Sequence, residues 1–294
     1  MLAQYQNGGY LVEVHPDGTK IRTTLDAAIP PKLPEQMDLK ITDYCDAGCA
    51  WCHEKSTPKG LHGDLDAALA LLSVLPAGAE IAIGGGDPLS HPDFERFVRA
   101  LRAQGLVPSV TVNGVHFERH RKVLERLTQE KQLFGVGFSY ADKLPDWEYE
   151  HLVVHLIAGI HPPSVMDAAT RRHKVLLLGY KQFGRGKKLF ELRQQAVQDT
   201  LAAWYRELFW VAREHHLSFD NLAIEQLKPQ RLFHDPATFE RQYMGQEGLF
   251  SMYVDAVTQT FALSSYSPDR FAWSALQGMF AQVRAGEGFP VNTQ

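Results

Sequence analysis

The chain has 294 residues, 45% hydrophobic and 22% charged, with a formal net charge of −4 at neutral pH. That length is enough for a large core and lies within the range of a single α/β barrel. The mild acidity excludes a global nucleic-acid footprint, and apolar runs such as Val175 to Leu178 are far too short to span a bilayer. The first twenty residues lack a basic start followed by a long apolar run, so no secretory signal is expected; the reading is cytoplasmic, with no membrane partner.

Along the chain, residues 10 to 24 predict a short hairpin around His15-Pro-Asp-Gly18, and Pro30, Pro31 and Pro34 separate it from the core. Short β-like runs then come at 38–42, 80–83, 107–112, 134–138, 152–157 and 174–179, with mostly helical stretches between them. Asp64 is the expected N-cap of a helix through Leu75. Phe94, Phe97, Val98 and Leu101 form one apolar face of a helix over 93–103, which Gly105 ends. Val123, Leu124 and Leu127 mark a third helix; the crossover over 158–173 opens with Pro162-Pro163 and holds only a short one. Val197, Leu201, Trp204, Leu208 and Val211 place a long helix over 192–216, and a further strand is read at 219–224. Residues 250–265 read as β-rich, and Phe271 to Val283 as a closing helix. Strands alternating with helices imply parallel pairing in an α/β sheet or barrel. The expected division is an N-terminal hairpin extension (1–35), a core (36–230) and a C-terminal capping extension (231–294).

Cys45, Cys49 and Cys52 are the only cysteines, in one C-x3-C-x2-C string. A four-iron, four-sulfur cluster normally takes four thiolates, one per iron, so three would leave one iron open for an outside ligand. Other readings stay open at this point. With His53 the cysteines could form a Cys3His zinc site, in which case the chain would be a non-catalytic, zinc-stabilised binding protein. Cys49-Ala-Trp-Cys52-His53 also matches the haem-attachment pattern, although no export signal accompanies it. A structural disulfide fits poorly with an odd, closely spaced set in a chain without secretory features.

The string, with aromatic Trp51 just before its last cysteine, resembles the radical S-adenosylmethionine (radical SAM) superfamily. That resemblance implies a partial (β/α)6 barrel, a 4Fe-4S cluster on Cys45, Cys49 and Cys52, and S-adenosylmethionine chelated at the open iron. It also implies a reductant such as flavodoxin or ferredoxin, and cleavage of the sulfonium to a 5'-deoxyadenosyl radical that removes a substrate hydrogen. Gly85-Gly86-Asp87-Pro88 is similar to the family's Gly-Gly-Glu-Pro motif for the methionine amino group, with Asp in place of Glu. Asn113 ends a Thr-x-Asn-Gly segment, and Ser139 ends the next strand; the resemblance makes both cofactor contacts. Ile157, in an Ile-x-Gly element, and Leu178 are the implied neighbours of adenine, while Pro162 stands where the family has an acidic residue.

Tyr180, Lys181 and Arg185 lie in a glycine-hinged basic loop, read as a solvated loop or as an anion-binding rim. Residues 250–271 resemble the hairpin of radical enzymes with extra clusters, but Ser264 and Ser265 stand near the place of the cysteines; Tyr253 and Asp255 are substrate candidates there. The expected substrate is a small molecule or nucleic acid, anionic for preference, such as a nucleotide or a base modified in phage DNA. A peptide substrate is the alternative.

Overall fold

Period-two alternation along the strands divides the interior of the molecule from its packed shell. In the computed structural model, which describes residues 1–166, 172–243 and 245–286, β4 (Gln36–Thr42) turns Met37, Leu39 and Ile41 to a buried apolar layer. Its Gln36, Asp38 and Lys40 line a central cavity instead. The same division holds in β5 (Glu80–Gly85), β6 (Val107–Asn113), β7 (Gly135–Ser139) and β8 (Leu152–Ile157), where Ile81, Val110, Val136 and Val154 are buried and Ala82, Ser109, Gly137 and His155 face inward. Small and polar inward residues cannot fill the barrel as branched side chains would. A cavity of about 930 Å³ results.

Parallel strands β4 to β8 continue through β9 (Lys174–Leu178) to β10 (Leu217–Phe219) in the order β4-β5-β6-β7-β8-β9-β10. On the other side β4 pairs in parallel with β11 (Ser251–Asp255), which leads antiparallel into β12 (Thr260–Ala262) and β13 (Phe271–Ala272). The sheet is thus a partial barrel with a C-terminal hairpin added to its first strand.

The helices cover the outer face. Asp64 caps α1 (Leu65–Leu72) by accepting from Asp66 and Ala67 N–H, each at 3.0 Å. Phe94, Phe97, Val98 and Leu101 of α2 (Phe94–Ala103), and Phe117, Leu124 and Leu127 of α3 (Phe117–Gln129), are buried. α4 (Arg185–Glu214) buries Val197, Trp204 and Leu208, with Arg193 leaving helical geometry. α5 (Asn221–Leu227), α6 (Pro236–Gln242) and α7 (Leu276–Ala285) complete the set among the described residues.

Several boundaries differ from the sequence reading. The N-terminal hairpin gains a strand, giving β1 (Ala3–Asn7), β2 (Tyr10–Val14) and β3 (Lys20–Thr24) as an antiparallel sheet. The strand expected at 219–224 ends at Phe219, because Asp220 accepts from Ala223 N–H and caps α5. The basic stretch from Arg185 is the start of α4 and not a loop, and the closing helix begins at Leu276 after a short strand. In the crossover a short 3-10 turn spans Pro163–Val165; residues 167–171 lie outside the described residues. The N-terminal sheet floors the barrel. Lys20 reaches Glu80 at 2.6 Å, Arg22 reaches the fully buried Glu35 at 2.7 Å, and Gly18 to Lys20 line the cavity from below.

Candidate functional site

The cysteine loop leaves the C-terminal end of β4, where barrel enzymes place their chemistry. Tyr44 bridges to Thr57 and Thr42 to His62, so the excursion returns to its own stem. Cys45 N–H donates to Thr57 O and Cys52 N–H to Cys49 O. Gly184 (φ +62) lets the start of α4 approach so closely that a Cβ there would lie 2.3 Å from His53 O. Arg185 N–H then donates to Cys52 O, while its guanidinium donates to Cys49 O and Ser56 O, each at 2.9 Å. The loop is a pinned platform that presents three half-buried thiols to the cavity. Burial pushes the Cys45 and Cys49 thiols up, and a bound metal would favour their thiolate form. Asn113 donates to Cys49 Sγ at 3.4 Å and its Oδ1 accepts from Val115 N–H, so one side chain serves both the turn and the thiol.

Next to the cysteine loop, β5 ends in Gly84 and Gly85 and is followed by Gly86, and these glycines have different tasks. A Cβ on Gly85 or Gly86 would collide with the carbonyls of Thr42 or Tyr44 at 2.5 and 2.1 Å, so these two permit strand-to-loop packing. Gly84 is the open one: a Cβ there meets nothing within 4 Å and would project into the cavity. Asp87 turns away. It is 1% exposed, its Oδ2 accepts from Ser90 Oγ at 2.6 Å and faces His120 Nε2 at 2.9 Å, and neither it nor Pro88 lines the cavity. Burial alone would raise its carboxyl, but the hydrogen bonds from His120 and Ser90 outweigh that and hold it below the usual aspartate range.

The remaining expected residues divide in the same way. Ser139, Ile157 and Leu178 line the cavity with Trp51. Tyr180 also borders it but is 2% exposed and donates its hydroxyl to Gly186 O at 2.6 Å, which makes it a packing residue. Asp255 accepts from the N–H groups of Val257 and Thr258 and pairs with Lys40, outside the cavity lining. Tyr253 faces inward and donates to Glu54 at 3.2 Å. Lys181 and Arg185, the expected anion rim, both line the chamber, but the Arg185 guanidinium donates to loop carbonyls of Cys49 and Ser56. Lys181 donates to Ser265 Oγ at 2.9 Å and lies over the Tyr266 ring, linking the β9 end of the barrel to the C-terminal hairpin.

The fold also brings in residues that the sequence reading passed over. Asp38, Glu54, Asp220 and Glu247 bring carboxylates to the chamber, and enclosure raises the carboxyls of Asp38, Asp220 and Glu247. Lys40 meets Asp43 at 2.6 Å, Glu54 at 3.1 Å and Asp255 at 3.2 Å. Burial would lower the Lys40 ammonium, yet these carboxylates prevail and hold it charged. His155 fits beside Gly137, where any Cβ would meet its ring, and burial holds it neutral with a pKa of about 4. The alternation of Asp38 and Lys40 with Met37, Leu39 and Ile41 was a readable signal for the first pair; no local pattern marks Glu247, which reaches the chamber from beyond the barrel.

Three thiols on one loop, an empty glycine cradle beside them and unpartnered buried atoms on Ser56 and His161 in the same cavity fit a cubane and a chelating nucleotide. Among the described residues no three His, Cys, Asp or Glu side chains converge on one ion. Cysteines that each face a different iron need not converge. Residues 39–159, from β4 to the end of the Ile-x-Gly element, match the family model of the radical SAM superfamily. The chain carries a radical SAM domain. Radical SAM proteins use a 4Fe-4S cluster together with S-adenosylmethionine. Among solved structures, Streptococcus suis SuiB bound to the precursor peptide SuiA superposes with a TM-score of 0.58 at 11% identity, covering 90% of this chain and 69% of that one. SuiB bound to S-adenosylmethionine gives a TM-score of 0.58 at 12% identity, over 90% of this chain and 68% of that one. At such identity the likeness is one of fold. No curated protein matches the chain, and among the described residues no helix is long and apolar enough to cross a membrane.

Proposed function

We propose that this chain is a radical SAM enzyme that removes a hydrogen atom from a substrate held between the cysteine loop and the C-terminal hairpin. The single observation that carries the reading is the placement of Cys45, Cys49 and Cys52 on a pinned loop at the C-terminal rim of a parallel barrel, facing a cavity large enough for both cofactor and substrate. When bound, the cluster and S-adenosylmethionine supply an electron and a 5'-deoxyadenosyl radical. The chain's own residues do the rest. Arg185 fixes the loop, Gly84 leaves room for the methionine end, and Ile157, Leu178 and Trp51 provide apolar walls. The N-terminal sheet and the Lys181–Ser265 contact border the chamber on two sides.

The substrate reading follows the charges. Asp38, Asp220 and Glu247 lie within electrostatic reach of Lys181, and Lys40 is already paired with Asp43, Glu54 and Asp255. This favours a group that donates hydrogen bonds, such as a side chain of a peptide, over the phosphate of a nucleotide. The peptide bound to the fold relative SuiB supports the same direction. The test is anaerobic reconstitution with iron and sulfide followed by assay of 5'-deoxyadenosine with candidate peptides and, separately, nucleotides. Acceleration by nucleotides alone would reverse the substrate assignment.

A further inference from the structure

The His161 ring folds back over the end of β8, where its Nδ1 accepts the Ile157 N–H at 2.8 Å. A ring nitrogen that accepts cannot carry the proton, so the neutral imidazole is the Nε2–H tautomer. Burial keeps it neutral, with a pKa of about 4. The residue is 6% exposed and lines the cavity, yet Nε2 has no partner. A buried donor without an acceptor is costly, which makes this one a candidate for a ligand.

The surroundings define what that ligand presents. Trp51 of the cysteine loop and Tyr140 stand edge-on to the ring, at centroid distances of 6.0 and 5.3 Å, and Ile157 forms the aliphatic wall. Trp204 Nε1 donates to His161 O at 2.6 Å and holds the backbone in place. A recess lined by Trp51, Tyr140 and Ile157 beside one fixed donor suits a planar, neutral heterocycle with an acceptor nitrogen, not a charged group.

We infer that His161 Nε2–H donates to a ring nitrogen of the purine of S-adenosylmethionine, and that this side chain reads the base in a chain whose next residue, Pro162, offers no side-chain polar group. The inference rests on the radical SAM reading and adds a binding residue to it.

The test uses the reconstituted full chain and measures binding of S-adenosylhomocysteine and its 1-deaza, 3-deaza and 7-deaza forms by calorimetry. Wild type is expected to bind one deaza form about tenfold or more weakly than the parent. His161→Phe should bind the parent about tenfold more weakly and lose that discrimination, His161→Gln should recover part of it, and iron and sulfide content should stay equal in all three. On wild type, the ¹⁵N signal of His161 Nε2 should shift on binding while remaining protonated. Equal binding of the whole deaza series by wild type, or an unmoved Nε2 signal, overturns the inference; these two readouts decide it even if a variant does not fold. A chain that assembles its cluster but binds no parent ligand overturns the radical SAM reading itself, a result distinct from the loss of discrimination alone.

Discussion

Replacing Arg185 with alanine removes two donors from the cysteine loop at once, those to Cys49 O and Ser56 O at 2.9 Å. Hydrogen bonds from a charged group contribute about 1.5–3 kcal/mol each, and partial solvent access reduces that, so the loop should lose roughly 2–4 kcal/mol of local stability. Because the loop is pinned at both ends by Thr42, Tyr44 and the start of α4, the loss should appear as local opening, with the barrel still folded. The assay is amide exchange in the apo chain at Cys52 and Arg185, whose N–H groups donate to Cys49 O and Cys52 O. Exchange there should rise about 30-fold or more, with core strands unchanged, and reconstituted variant should release iron to a chelator faster. Arg185→Lys should restore the charge but not both bonds, and fall between. If Arg185→Ala leaves exchange and iron retention as in wild type and only weakens substrate binding, Arg185 is a substrate residue after all.

Gly84→Val should fill the open cradle beside the cysteines, reducing affinity for S-adenosylmethionine more than tenfold while iron content is kept; unchanged affinity would place the ligand elsewhere. His155 and His161 are held down to about 4 from an ordinary 6.5, so each neutral ring contributes stability that is fully present above 6.5 and is lost as pH falls toward 4. The loss is up to about 3 kcal/mol per ring, so the urea midpoint should drop between about pH 7 and about pH 4.5, and His155→Leu should flatten that slope. A variant slope equal to wild type would contradict the burial of His155. Trp204→Ala should cost about 3–5 kcal/mol, because the ring is fully buried and its N–H holds His161 O; a loss below about 1 kcal/mol in denaturant titration would refute that packing.

Much of the barrel was legible because strand alternation and helix periodicity are local. Phe94, Phe97, Val98 and Leu101 form the face that the sequence predicts, and Asp64 caps its helix as expected. What escaped the sequence reading depends on approach between distant segments. Gly184 and Gly186 resemble a loop hinge in sequence, but they bring α4 against the His53 and Lys181 carbonyls. Asp87 reads as a ligand by position, yet His120 of α3, thirty-three residues later, takes its carboxylate. Asp220 ends a strand by capping a helix, a contest between two local preferences that hydrophobicity alone does not decide. Glu247 and Lys181 meet in the chamber only because β11 pairs with β4, a register no short pattern encodes.

The proposed activity requires a cubane with one open iron at the three cysteines. Oxygen-free reconstitution of wild type and of Cys49→Ala, followed by reductant and S-adenosylmethionine, tests this with one product: wild type should hold about four irons with acid-labile sulfide and release 5'-deoxyadenosine, and the variant should release none. A wild-type chain that takes up zinc in preference to iron and sulfide and leaves S-adenosylmethionine intact under strong reductant would contradict it.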